Sequence, residues 1–277
     1  MPDLVKAFLI IRPHNVAAAV LCVAAGFALA GGGRPWPLLL LAATALATAA
    51  GNVINDWFDR DIDAINKPGR PLPSGIVTGR SAIALYVLLL AALAVTAALL
   101  PWAQGVWVAG WVVLLHWYSQ YFKRRYLAGN LLVSAIAGSG FALGAFAAGD
   151  WRIGVLPALF TFFFVLGREL VKDAEDVAGD GACGARTVPV VSGRESTLVA
   201  SAVLFTVLAA AFPVPYLTGT YGKWYLVTVC ATVIPILGVS AALCYARRAP
   251  GVVSVLLKIG MFFGVAAFFL ASMSLAA

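Results

Sequence analysis

Charge is scarce in this chain. Asp, Glu, Lys and Arg make up 11% of its 277 residues while 62% are hydrophobic, and a soluble globular domain carries about 25% charge. Nineteen basic and twelve acidic side chains are too few to coat a water-facing exterior, so most of the surface is expected to face lipid. Histidine and cysteine are also sparse. His14 and His116 have no second His at ligand spacing, and Cys22, Cys183, Cys230 and Cys244 have no metal-ligand pairing, which leaves packing or interface roles for all six. Nor is there a low-complexity tract or a soluble linker, so residues 1–277 read as a single domain. Arg12, Pro13 and His14 interrupt the first apolar stretch without a small-residue cleavage site, so the first helix is expected to stay rather than be removed as a signal peptide.

What is present is a set of long apolar runs. A helix needs about 20 apolar residues to cross the hydrocarbon core, and nine runs approach that length, at roughly 9–31, 36–58, 80–100, 104–121, 129–149, 153–173, 195–216, 224–246 and 252–275. The predicted fold class is therefore all-α, a polytopic membrane protein. Of the nineteen Lys and Arg, only Arg34, Arg152 and Lys223 fall in the connections 32–35, 150–152 and 217–223 or at their edge. The others lie in the alternate connections, in adjoining helix ends or at the N-terminus. Basic residues mark the cytoplasmic face, which predicts an integral membrane protein with the N-terminus cytoplasmic and the C-terminus opposite.

Membrane insertion gives no reason for acids to cluster, yet they do. Asp56, Asp59, Asp61 and Asp63 form one group, and Glu169, Asp173, Glu175, Asp176 and Asp180 another. Each group falls at the end of a predicted span and precedes a long basic loop on the same face. Asn55, Asp59 and Asp63 are spaced i, i+4, which stacks three oxygen-bearing side chains on one helix face, with Asp56 able to join them. Asp176 and Asp180 repeat the spacing, with Asp173 one turn earlier. Two carboxylate stripes near a low-dielectric region need a cation between them, and hard oxygen ligands suit Mg²⁺.

A metal-bound diphosphate needs positive charge beyond the metal. Arg12 and Asn15 in Ile11-Arg12-Pro13-His14-Asn15, Asn55, Arg70 in Arg70-Pro71-Leu72-Pro73-Ser74-Gly75, and Lys123 are candidates to bind it, with Arg168, Lys172 and Arg186 behind them. Arg12 and Arg168 lie in or beside spans, where an unpaired charge is costly. The placement of the basic residues opposite acidic motifs points to an anionic substrate at a membrane surface, and no nucleic-acid partner is expected. A secondary transporter would place binding groups near the bilayer midplane. The D-G-x-x-A-R pattern of CDP-alcohol phosphotransferases is missing.

These motifs together resemble the UbiA superfamily of intramembrane prenyltransferases. The resemblance covers nearly the whole chain: N-D-x-x-D-x-x-x-D at Asn55 to Asp63, R-P-L-P-S-G at Arg70 to Gly75, Y-S-x-x-x-K ending at Lys123 with Gly129-Asn130 after it, and D-V-A-G-D ending at Asp180 before G-A-R-T-V-P. It implies nine helices around a central cavity with a cytoplasmic cap. It also implies Mg²⁺ held by Asp59, Asp63, Asp176 and Asp180, assisted by Asn55, Asp56 and Asp173. The partners it implies are a prenyl diphosphate donor, a lipid-soluble acceptor and membrane lipid. Trp57, Phe58, Tyr118 and Tyr121 are available to shelter an allylic cation. Within the superfamily, Arg168 to Asp180 and Asp63 to Pro68 resemble the branch that prenylates geranylgeranylglyceryl phosphate. The first motif also resembles chlorophyll synthases, so esterification of a chlorophyllide-type pigment, or prenylation of an aromatic acid or quinone precursor, stays open.

Overall fold

The computed structural model describes residues 8–33 and 35–275. Arg34 of the charge asymmetry lies outside the described residues. Among those described, every regular element is helical. The main helices are α1 (Pro13–Leu29), α2 (Leu38–Asn66), α3 (Gly79–Ala98), α4 (Trp102–Trp117), α5 (Ala128–Ala148), α6 (Val155–Ala182), α7 (Arg194–Ala211), α8 (Lys223–Tyr245, with a π turn at Val229–Val233) and α9 (Pro250–Leu275). Seven helical segments are long and apolar enough to cross a membrane; α1, at 17 residues, and α4, at 16, fall short by themselves.

Two helices overrun the predicted spans. α2 has 29 residues and α6 has 28, or over 40 Å each at 1.5 Å per residue, against a hydrocarbon core of about 30 Å. Sequence reading ends these spans at residues 58 and 173, where charge begins. A helix need not stop where hydrocarbon stops, and α2 has no breaker before Pro68 and Gly69. Both acidic motifs therefore ride on continuous helix, projecting from one end of the bundle.

Close helix approach is bought with small residues. A Cβ on Gly144 would stand 1.9 Å from the Val23 carbonyl oxygen, one on Gly26 2.1 Å from that of Phe141, and one on Gly138 2.5 Å from that of Ala158. The glycines of α5 thus bring it against α1 and α6, the packing role that small residues serve in membranes. Helix α9 packs on α1, α6 and α8, so the first and last helices meet and the bundle closes around an interior space. α3 lies outside: of its residues only Ala82 and Leu93 are buried, leaving Val87, Leu88 and Val95 exposed, as a lipid-facing helix requires.

Candidate active site

The chain enters α1 through a forced turn. Arg12 adopts a left-handed conformation at φ 49° between the short Leu9–Ile11 turn and Pro13, a conformation that a non-glycine residue adopts only at a cost of about 1–3 kcal/mol. The turn aims its guanidinium at Asp56 of α2, with which it forms an ion pair. Beside it, Asn52 donates to the Ile11 carbonyl at 2.8 Å and accepts from Asn15 at 3.3 Å. Asn15 is thereby fixed by α2.

The first acidic motif is covered by cations from distant parts of the chain. Lys123, just beyond the π turn Tyr118–Phe122 that extends α4, pairs with Asp59 and approaches Asn55 Oδ1 at 3.4 Å. Asn55 Nδ2 donates to Asp59 Oδ2 at 2.9 Å. Burial works against the Lys123 charge, but the Asp59 carboxylate outweighs it and holds the pKa above the ordinary lysine value, so the group is an ammonium at neutral pH. Arg70 reaches Asp63 at 2.5 Å and Asp56 at 3.8 Å. Asp61 points away, meeting only Arg60 at the exposed surface.

The second motif is held differently. Asp173 accepts from the Asn130 amide at 2.8 Å and Asp180 from the Thr187 hydroxyl at 3.1 Å. Asp176 pairs with Lys67 at 2.6 Å. Arg168 and Lys172 share one carboxylate, each 2.8 Å from an oxygen of Glu169. The two motif helices are clasped together by Asn66 at the end of α2, which donates to the Asp176 carbonyl at 2.8 Å and accepts from Gly179 N–H at 3.0 Å. A Cβ at Gly179 would stand 2.5–2.7 Å from the Asn66 amide, so glycine there is a condition of the clasp.

A cavity of about 680 Å³ opens between these helix ends and runs into the bundle. Arg12, Asn15, Asn55, Asp56, Arg70, Lys123, Arg168 and Lys172 line it; Asp59, Asp63, Asp173, Asp176 and Asp180 do not. For three of the five, their cations take the wall: Lys123, Arg70 and Lys67 line the cavity and pair with Asp59, Asp63 and Asp176. Its deeper wall is apolar, with Val133, Ile136, Phe160, Phe164, Val265 and Phe268. Of the four aromatics, Tyr118 is buried and lines the cavity, whereas Tyr121 is exposed and Trp57 and Phe58 pack edge to face on each other away from it.

Among the described residues no three carboxylate, His or Cys side chains converge as a preformed metal cage. The donors nevertheless fit Mg²⁺. They are hard oxygens on two clasped helices, and Asp59 Oδ1 is buried with no hydrogen-bond partner, a lone pair left open to a cation. Lys123 and Arg70 are long side chains that neutralise the motif and can swing aside without moving backbone.

Residues 19–263 match the UbiA prenyltransferase family. The chain belongs to that family. It is 45% identical over 260 residues to the digeranylgeranylglyceryl phosphate synthase of Halobacterium salinarum, covering 93% of both chains. A solved structure described as digeranylgeranylglyceryl phosphate synthase in membranes is 28% identical with a TM-score of 0.73, covering 99% of this chain and 100% of that one. A UbiA homologue from Archaeoglobus fulgidus, solved with GPP and Mg²⁺, shares the fold at a TM-score of 0.69 and 19% identity, covering 97% of this chain and 99% of that one. As a UbiA-family chain with seven membrane-length apolar helices, this is an integral, multi-pass membrane protein.

The sequence reading undervalued Glu169, Asn130, Asn66 and Lys67. Glu169 was visible as an acid within a span, where a partner is obligatory; the amides carry no charge pattern that periodicity could flag. Lys258 sits inside an apolar run with no acid near it in sequence, so no local pattern marks it.

Proposed function

We propose that this chain transfers a geranylgeranyl group from its diphosphate to the free hydroxyl of geranylgeranylglyceryl phosphate, giving digeranylgeranylglyceryl phosphate. The observation that carries the reading is the clasp of two acidic helix ends, ringed by Arg12, Arg70 and Lys123, over a cavity whose depth is apolar. The similarity to digeranylgeranylglyceryl phosphate synthases supports the choice of acceptor.

Asp59, Asp63, Asp176 and Asp180, with Asn55, Asp56 and Asp173 assisting, would hold Mg²⁺, whose charge stabilises the departing diphosphate. Arg12, Arg70 and Lys123, which those carboxylates already position, turn their N–H groups to diphosphate oxygens as negative charge grows there. Asn15 sits in the same wall. The C1–O bond of the donor breaks with its electron pair leaving on the diphosphate. The ring of Tyr118 faces the resulting allylic cation, and the apolar wall keeps water from it. A lone pair on the acceptor hydroxyl then forms the ether bond to C1, and its proton leaves late, to a cavity carboxylate or water.

The nine-helix arrangement is read as nine spans. The five-residue π turn lengthens α4 to 21 residues, about 30 Å, and the Leu9–Ile11 turn precedes α1 across the left-handed break at Arg12. The N-terminus and the motif ends are taken as cytoplasmic, with the loops 67–78 and 183–193 capping the cavity and the chain acting as one catalytic domain. Cysteines placed near Lys67 and Ala182 should label from the same side; labelling from opposite faces overturns this topology.

The activity is tested with purified protein in nanodiscs, offered labelled C10 to C20 prenyl diphosphates against glycerophosphate-lipid, aromatic-acid and chlorophyllide acceptors. Efficient prenylation of 4-hydroxybenzoate or a chlorophyllide, with the glycerophosphate lipid inert, would replace the assignment with one of those alternatives.

A further inference from the structure

The basic residues of the cavity fall into two sets. Arg12, Arg70 and Lys123 stand on the α2 aspartates, and Lys67 beside them stands on Asp176. Arg168, Lys172 and Lys258 stand across the mouth on α6 and α9. Lys258 lies within the apolar helix α9, where an ammonium is expensive unless it has a purpose or a partner. Among the described residues it has neither an ion pair nor a hydrogen bond.

Its place on the helix is specific. The residues of α9 that face the cavity include Gly251, Ser254, Lys258, Met261, Val265 and Phe268, a stripe at i, i+3 and i+4 spacing. Ser254 and Lys258 are the polar side chains that α9 gives to the cavity, and beyond Lys258 its lining is apolar throughout, so Lys258 marks the boundary between a polar mouth and an apolar tunnel. A methyl at Gly251 would lie 3.6 Å from Glu175 Oε1, and one at Gly260 3.3 Å from the Phe164 ring. These contacts run antiparallel and bracket Lys258 at the level of α6 that carries Arg168 and Lys172. Arg168 has a donor to spare there: its Nη1 is used by Glu169, but its Nε is buried with no partner. His14 faces the same space from α1. Arg168, Lys172 and Lys258 against Glu169 and Glu175 leave a net positive charge without any ligand.

We propose that Lys258, with Arg168, forms a subsite for the single phosphate of the acceptor lipid, separate from the diphosphate site on the aspartates. The inference rests on the acceptor reading above. A phosphate at this boundary would leave the acceptor's isoprenoid chain to run along the apolar half of the α9 stripe. Glu169 holds Arg168 and Lys172 in place, and Lys258 supplies the uncommitted charge. Lys258 is thus a specificity residue that tells a phosphorylated acceptor from a neutral one.

The test is equilibrium binding in nanodiscs of zwitterionic lipid, with three ligands used one at a time: geranylgeranylglyceryl phosphate, geranylgeranylglycerol, and a non-cleavable thio-analogue of geranylgeranyl diphosphate with Mg²⁺. A charge-assisted hydrogen bond is worth enough to predict about a tenfold or greater loss. Lys258→Met should therefore weaken the phosphorylated acceptor about tenfold or more and leave the other two within about twofold, while Lys258→Arg restores most of the affinity. Equal weakening of both acceptor forms, weakening of the donor analogue, or no change would overturn the subsite. So would a wild type that binds the phosphorylated and unphosphorylated acceptors equally. Turnover measured alongside separates the two readings: phosphate-dependent binding lost in Lys258→Met, in a wild type that does not prenylate the lipid, sustains the subsite and rejects the acceptor assignment.

Discussion

The acidic ends of α2 and α6 share a four-residue spacing but are neutralised by different means. On α2, Asp56, Asp59 and Asp63 are each paired with an arginine or lysine, and Arg12 and Lys123 come from 44 and 64 residues away in sequence. On α6, Asp176 alone of the motif aspartates has a lysine, Lys67, while Asp173 and Asp180 rest on an amide and a hydroxyl, and Glu169 is paired within its own helix. The α2 motif therefore carries the stress of buried ion pairs, whose rupture leaves an uncompensated charge. On α6, Asp173 and Asp180 have neutral partners and can accept a further cation without first displacing a lysine, whereas Asp176 shares the α2 condition.

Function should not follow this asymmetry, and that is the largest effect expected. Asp59→Ala, Asp63→Ala, Asp176→Ala and Asp180→Ala should each lower turnover by about a hundredfold or more, because each removes charge from a preorganised site; EDTA should abolish it. Initial rates in nanodiscs decide the point, and two near-wild-type variants among the four would break the two-motif reading.

Stability should follow the asymmetry. Asp59→Ala strands Lys123 and is expected to cost about 3 kcal/mol, the lower end of the range for breaking a buried pair because Lys123 keeps some solvent. Asp180→Ala loses one hydrogen bond from a hydroxyl, about 1 kcal/mol. Thermal unfolding in one detergent should rank the two variants in that order, and the reverse ranking would mean that the ion pairs on α2 are not what holds it.

The clasp joining the motifs comes next. Gly179→Ala pushes a methyl into the Asn66 amide, whose displacement gives up two hydrogen bonds, about 1–3 kcal/mol. Turnover is expected to fall about tenfold, with partial recovery when Asn66 is also replaced by Ala. The smallest effect is reserved for the exposed pair of Arg247 and Glu195. Surface pairs contribute about 0–1 kcal/mol, so Arg247→Ala should leave both rate and unfolding temperature within error.

How much of this was legible beforehand depends on the kind of signal. Apolar runs and the one-sided placement of basic residues are properties of composition along the chain, so the helices could be read, but how far α2 and α6 continue past their apolar runs, to Asn66 and Ala182, could not. The spacing of Asn55, Asp59 and Asp63 is local to one helix and could be read as one face. Partnerships could not. Nothing in the sequence says that Lys67 meets Asp176, that Asn130 reaches Asp173, or that Trp57 and Phe58 turn away while Tyr118 turns in.

By itself, then, the sequence determined that the chain enters a membrane as helices and presents two acidic motifs and their cations on one face, because helix periodicity and transfer of apolar residues out of water act over a few turns at a time. Only the tertiary structure decided which cation covers which carboxylate, where the polar mouth gives way to apolar tunnel, and that a lysine in the last helix faces into it. In an apolar helix every face is compatible with lipid, and which face turns inward is set by packing among helices far apart in the chain.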